Sequence, residues 1–427
     1  MAKPPPAIQP DAKLFPRSAI RRIIVPVQIL TSPECLNTLA QFLKLVSESD
    51  NSPDPRVWLL LGERQGDNAQ VMALGKALGW PFGIKQLYFD PDCPIPFSKR
   101  GASLIGLDTM KTAAISGPWP DIVIAIGRRA APVSRWIKQQ SGGRSMTVHL
   151  GRPRDAYYKY DLIFTTPQYG LPPGKNVTNL TFPITLNREE DLDESAKFWW
   201  PRLSALPRPW TAMILGGPTT QMRFDRDVGV DLLAKAEAHI NGMGSLLITT
   251  SPRTSMDVAD LMQTQTKVPH FMFRWSRNEP NPYLAFLKLA DAFIVTDDSV
   301  SMIAEAVDRQ KPLFIYQLPK RQRTATTSLG KTIRRYFRVR REDRQLAGFK
   351  KDIVDMFYDS LTRLGKARPR RNTTTFNRML YQMGAARPLG ALSINSVEWS
   401  FARVTEVERS MAVKIIKEVY VGTRQAP

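Results

Sequence analysis

Short apolar runs, each bounded by polar or glycine-rich turns, alternate along this chain with longer stretches whose apolar residues recur every three or four positions. Val57–Leu61 is five consecutive apolar residues, the length and composition of a strand buried on both faces. The following Gly62-Glu-Arg-Gln-Gly-Asp-Asn-Ala-Gln predicts a turn into a helix through Leu78, with Asp67 or Asn68 suited to cap its first turn. Asp121–Ile126 repeats the strand pattern, Gly127-Arg-Arg precedes a helix through Val133, Trp136 and Ile137, and Met146–Leu150 and Leu162–Thr165 read as further strands. Strands alternating with helices at this spacing give a parallel sheet with helices on both faces.

A second series of the same kind begins at Thr211–Leu215 and turns at Gly216-Gly-Pro-Thr. It continues through a helix at Val230–Ile240, strand Ser245–Thr249, helix Met256–Gln265, a strand near His270–Arg274, helix Tyr283–Leu289, strand Ala292–Val295, helix Val300–Val307 and strand Pro312–Tyr316. The expectation is an α/β protein with two Rossmann-like lobes facing a cleft. Residues 1–20 read as a flexible arm, rich in proline and polar residues, and 21–190 as the first lobe with an added strand and helix at its start. Residues 191–210 read as a crossing between lobes, 211–318 as the second lobe, 319–375 as a basic helical insertion and 376–427 as a terminal segment.

At 427 residues and 43% hydrophobic composition the chain can build two cores and is not wholly disordered. No apolar run approaches the roughly 20 residues that span a bilayer. The start, Met1-Ala-Lys-Pro-Pro-Pro-Ala, lacks the features of a secretory signal, so a cytoplasmic address is expected. Cys35 and Cys93 share no metal-ligand spacing with His149, His239 or His270, and neither a metal nor a cofactor is expected.

Charge changes the picture more. The formal balance is +21, and between Lys320 and Arg378 there are 18 Lys or Arg against 5 Asp or Glu. Within that block Arg334, Arg335, Arg338, Arg340 and Arg341 surround Ile333, Tyr336 and Phe337, while Lys350 and Lys351 border the helically spaced Phe349, Ile353, Met356, Phe357, Leu361 and Leu364. An apolar stripe edged by cations suits an anionic membrane surface. A core-packed helix pair with a basic outer face has the same signature. Nucleic acid is not expected, because no helix-turn-helix, zinc-finger or RNP-type string accompanies the charge.

Three strand-to-helix loops of the second lobe carry candidate chemistry. Gly216 and Gly217 allow backbone to approach a phosphate, or simply make a turn. Ser251 and Arg253 can both reach a phosphate, whereas Thr254 or Ser255 can cap the next helix. In Thr296-Asp-Asp-Ser-Val-Ser-Met-Ile-Ala-Glu-Ala a helix opens beside Ser299 and Ser301, with Glu305 one turn further on the same face. A carboxylate there accepts two hydrogen bonds from a ribose diol while the helix N-terminus faces a diphosphate. The alternative is a Ser299 cap with Glu305 in solvent.

The string from Asn281-Pro-Tyr to Ile303-Ala-Glu-Ala, followed by Lys311-Pro, resembles the elongated-mitochondria family of mitochondrial fission proteins and their bacterial relatives. Gly66-Asp67-Asn68, Gly127-Arg128-Arg129, Gly216-Gly-Pro with Arg223-Phe, Thr249-Thr-Ser-Pro-Arg-Thr and Gly384-Ala-Ala-Arg-Pro fall in the same order as in that family. The resemblance implies a fold like that of GT-B glycosyltransferases, with a nucleotide-sugar donor in the second lobe and Glu305 on its ribose. On this basis Gly216, Gly217, Ser251, Arg253, Ser299, Ser301 and Glu305 are expected to hold the donor. Asp67, with Glu63 as second choice, is the expected general base toward a lipid-linked or envelope glycan at the cytoplasmic face of the inner membrane. The family name implies the other class, a non-enzymatic membrane adaptor on the mitochondrial outer surface that recruits a dynamin-related protein. The basic block lies where the family usually has a shorter link, outside the resemblance.

Overall fold

The structure is a computed structural model that describes residues 54–96, 99–185, 188–321, 352–369, 371–390, 399 and 404–424. The expected arm at 1–20, the strand and helix before residue 50, and the basic stretch 322–351 lie outside the described residues.

In the first lobe the apolar runs become β1 (Val57–Leu61), β3 (Ile122–Ile126), β4 (Met146–Leu150) and β5 (Leu162–Thr165). Two edge strands that their polar residues concealed, β2 (Phe82–Gln86) and β6 (Val177–Asn179), complete a parallel sheet in the order β2-β1-β3-β4-β5-β6. Helix α1 (Gln65–Leu78) lies close on β1: a Cβ at Gly75 would stand 2.5 Å from Leu59 Cδ1, which explains a glycine in mid-helix. Its N-terminus is not capped as expected. Arg64 occupies the cap position with no side-chain bond, and Asn68 instead closes the preceding turn, accepting from Gly62 N–H and donating to Gly62 O, both at 2.8 Å. Helix α2 (Gly127–Gln140) follows β3 directly.

Helix α3 (Glu189–Leu203) occupies the expected crossing, and its buried face belongs to the second lobe: Leu192, Trp199 and Leu203 pack in that lobe's core. Strands β7 (Trp210–Ile214), β8 (Ser245–Thr249), β9 (His270–Phe273), β10 (Ala292–Thr296), β11 (Leu313–Tyr316) and the short β12 (Arg387–Pro388) form the second parallel sheet, ordered β12-β11-β10-β7-β8-β9. Side-chain alternation splits its core between two layers. Ala212, Ile214, Phe293 and Val295 face one, and Met213, Leu246, Ile248 and Ile294 the other, which α4 (Arg226–Ile240) and α5 (Met256–Gln265) cover. Helices α6 (Tyr283–Leu289) and α7 (Val300–Val307) lie on the α3 side. The two-lobed α/β expectation holds.

Three further helices follow among the described residues. In α8 (Ile353–Arg363), Arg363 donates to Pro173 O of the first lobe at 2.9 Å, and α9 (Thr373–Gln382) buries Phe376 and Leu380 in the second lobe's core. Helix α10 (Val404–Arg424) returns to the first lobe, where Ala412, Ile416 and Tyr420 join the core beneath α1.

Candidate functional site

Strand order selects where a ligand belongs. In an open parallel sheet, ligands collect beyond the carboxyl ends of the strands where the winding reverses. The second sheet, read from β7, has the dinucleotide-fold order, and its reversal lies between β7 and β10. The first sheet reverses between β1 and β3.

At the second-lobe reversal Gly216, Gly217 and Arg253 come together around Asp298, a carboxylate not expected to sit at their centre. Gly216 N–H donates to Thr296 Oγ1 at 2.8 Å and Gly217 N–H to Asp298 Oδ2 at 3.1 Å. Arg253 pairs with the same carboxylate at 2.6 Å, and a Cβ at Gly216 would overlap it. The expected backbone cradle at Gly216 and Gly217 is therefore turned inward, filled by the protein's own anion. Asp298 is 0% exposed at its side chain and Arg253 47%, so the guanidinium keeps an outward edge. Ser251 shapes this loop: Arg253 N–H donates to Ser251 Oγ at 3.3 Å, and Ser251 N–H to Thr254 Oγ1 at 2.9 Å. Ser255, rather than Thr254, caps α5.

Asp297 faces the other way. It accepts from Leu318 N–H at 2.9 Å, Thr373 Oγ1 at 3.2 Å and Asn377 Nδ2 at 3.1 Å, which ties β10 to the end of β11 and to α9. Burial pushes its carboxyl up to about 6 despite these donors.

Helix α7 opens between these loops and the first lobe. Ser299 sits at its N-cap without making a side-chain cap bond, contrary to the capping alternative. Ser301 accepts a hydrogen bond from Gln70 Nε2 of α1 at 3.3 Å, so the two helices meet across the lobes. Glu305, one turn beyond Ser301, is half-buried and accepts from the Tyr283 hydroxyl. Burial is the main cause that raises its carboxyl to about 7, with the Tyr283 bond opposing. Glu305 is thus withdrawn from bulk water.

On the facing side, Asp67 lies one turn before Gln70 on α1 and is half-buried. Burial raises its pKa, against the pull of Arg64 and Arg371. Gly127, with φ +73°, passes beneath its carboxylate. Glu63 is instead tied to Arg129 in an ion pair across the β1–β3 reversal. Arg334, Arg335, Arg338, Arg340, Arg341, Lys350 and Lys351 lie outside the described residues.

The sequence reading missed four arginines beside this edge, Arg152, Arg154, Arg368 and Arg371. Arg152 donates to Pro369 O, Arg368 Nη2 to Arg154 O at 3.3 Å, and Arg371 Nε to Gln168 Oε1 at 2.6 Å. The signal was present in Gly151-Arg-Pro-Arg directly after β4 and in Arg368-Pro-Arg-Arg, but nothing in the sequence brings those segments together.

The family described as Mitochondrial fission ELM1 matches residues 65–356. The mitochondrial fission protein ELM1 of Arabidopsis thaliana is 27% identical over 220 residues, 46% of this chain and 51% of that protein, so the chain spans about half the length of this relative. The uncharacterized protein RP120 of Rickettsia prowazekii (strain Madrid E) is 24% identical over 304 residues, 62% of this chain and 83% of its own. Among solved structures, the UDP-GlcNAc 2-epimerase of Methanocaldococcus jannaschii aligns over 85% of this chain and 99% of its own, at 9% identity and a TM-score of 0.44.

Proposed function

The chain belongs to the mitochondrial fission ELM1 family, and from that premise and the facing of α1 and α7 we propose that it is a metal-independent glycosyltransferase with a nucleotide-sugar donor in its second lobe. One observation carries this reading: the N-terminus of α7 has no side-chain cap while Glu305, on its next turn, is withdrawn from bulk water. The amides that open a helix are unsatisfied within it and attract a diphosphate. Glu305 would accept from the ribose hydroxyls while Tyr283 holds it in place. Arg253, anchored on Asp298, would turn its outward N–H groups to the leaving diphosphate and stabilise the charge that develops there. Asp67, one turn before the Gln70 that meets Ser301, would take the proton of the acceptor hydroxyl as it attacks the anomeric carbon.

The place of action is proposed as the cytoplasmic face of the inner membrane, with a lipid-linked or envelope glycan as acceptor. Helix α8 supports a membrane surface because it is inside out: Asp355, Asp359 and Thr362 are buried, whereas Ile353 is 84% and Phe357 63% exposed. The basic stretch precedes it directly in sequence.

The test is calorimetry against a panel of UDP, GDP, ADP and CMP sugars. At least one should bind the native protein, and Glu305→Gln should weaken that binding at least tenfold at pH 8. A panel with no binder, or equal affinity in the variant, overturns the assignment. The adaptor alternative is favoured by the name of the plant relative and by the same exposed face of α8. Vesicle binding without any turnover or binding of a nucleotide sugar would select it.

A further inference from the structure

Among the described residues several arginines that reach another element meet a carboxylate there: Arg135 pairs with Asp155, Arg208 with Asp291 and Arg309 with Glu189. Arg152, Arg154, Arg368 and Arg371 do not. Among the described residues none of the four lies within ion-pair distance of a carboxylate, and each is half-buried. Arg152, Arg368 and Arg371 are held by neutral oxygens, of Pro369, Arg154 and Gln168. The nearby Asp155 is spent on Arg135 and Lys159.

Three of these side chains converge, and the charge of Arg371 acts on Arg152 among them. Arg152, Arg154 and Arg368 line one shallow depression, and Arg154 and Arg128 line the next. Arg64 and Arg128 follow β1 and β3, the strands that flank the reversal of the first sheet. The consequence is electrostatic: burial lowers Arg154 to about 10, and the charges of Arg152, Arg128, Arg368 and Arg64 push in the same direction. A guanidinium fixed by one neutral acceptor keeps further N–H donors in a planar fork, the geometry that phosphate oxygens match.

We infer that the carboxyl edge of the first sheet is a binding site for a diphosphate group, held by Arg152, Arg154, Arg368 and Arg371 with Arg64 and Arg128 at its rim. As an account of the acceptor this rests on the transferase reading, for it gives the acceptor a diphosphate handle beside Asp67. As an anion site it rests on the guanidinium groups alone.

The probe is inorganic pyrophosphate, titrated into the full chain at fixed ionic strength, with sulfate at matched ionic strength as control. Native protein should bind pyrophosphate in preference to sulfate. Arg154→Gln and Arg368→Gln should each lower the affinity at least tenfold with unchanged circular dichroism, Arg154→Lys should restore part of it, and Arg277→Gln, an exposed cation of the second lobe, should leave it unaltered. Retained binding in Glu305→Gln separates this site from the proposed donor site, so either can fail alone. Tighter binding of farnesyl diphosphate than of pyrophosphate assigns the group to a lipid carrier, and equal binding assigns it to a soluble diphosphate. Binding equalled by sulfate, unaffected by both glutamine variants, or seen only with phosphatidylglycerol vesicles overturns the inference.

Discussion

Asp297 and Glu305 are acids that the fold keeps partly from water, and the sign of that effect is opposite to the usual stabilising carboxylate. Burial raises Asp297 from the ordinary 3.8 to about 6 and Glu305 from 4.5 to about 7. Between about pH 4.5 and 6 each therefore holds, in the folded protein, a proton that the unfolded chain has largely released. Their contribution favours folding below about pH 4 and declines as pH rises toward 7. The native protein should lose more stability between pH 4 and 7 than the double variant Asp297→Asn, Glu305→Gln, as judged by melting temperature in buffers of equal ionic strength. Parallel curves would refute the burial of both groups. Asp297 also shows why site residues were only partly legible. Sequence placed it at a strand end beside Asp298, but its partners Thr373 and Asn377 lie far along the chain. The neighbouring Asp298 turns instead to Gly217 and Arg253.

At the level of elements, legibility followed burial. Runs such as Val57–Leu61 and Ala292–Thr296 announced central strands because both faces are covered, and nothing polar interrupts them. Edge strands β2 and β6 carry Lys85, Gln86, Thr178 and Asn179 and gave no such signal. Helix α8 shows a subtler limit. Its periodicity was plain, but periodicity alone does not say which face meets the protein. Asp352 and Asp355 form a capping box that fixes its start, and Tyr358 and Thr362 are buried while Ile353, Met356 and Phe357 stand in solvent. Phe357→Ser removes apolar surface from water, so melting temperature should stay within about 2 °C, in keeping with a surface change of under ~0.5 kcal/mol. Flotation with phosphatidylglycerol vesicles should fall several-fold. Unchanged flotation would remove α8 from the membrane contact.

At the scale of the molecule, α10 returns from the second lobe to complete the first. Ile416 packs in the first lobe's core, Tyr420 meets Trp80 edge-on at 5.7 Å between ring centroids, and Glu408 accepts from Thr181 and Phe182 N–H at 2.5 and 2.8 Å. Ile416→Ala should cost about 2–4 kcal/mol by chemical denaturation, the range for a buried aliphatic truncation. Hydrogen exchange should quicken in β1, β3 and β4 while β7 and β8 stay protected. Uniform loosening of both sheets would show that α10 is not specific to the first lobe. The return of α10 also has a temporal meaning. On the ribosome, residues 57–180 emerge early, yet Ala412, Ile416 and Tyr420, which complete the apolar core that holds Leu74 and Leu78, are translated more than 220 positions later. The half that is made first is thus the half that finishes last, and while elongation continues it presents an open hydrophobic flank to whatever in the cell shelters nascent chains.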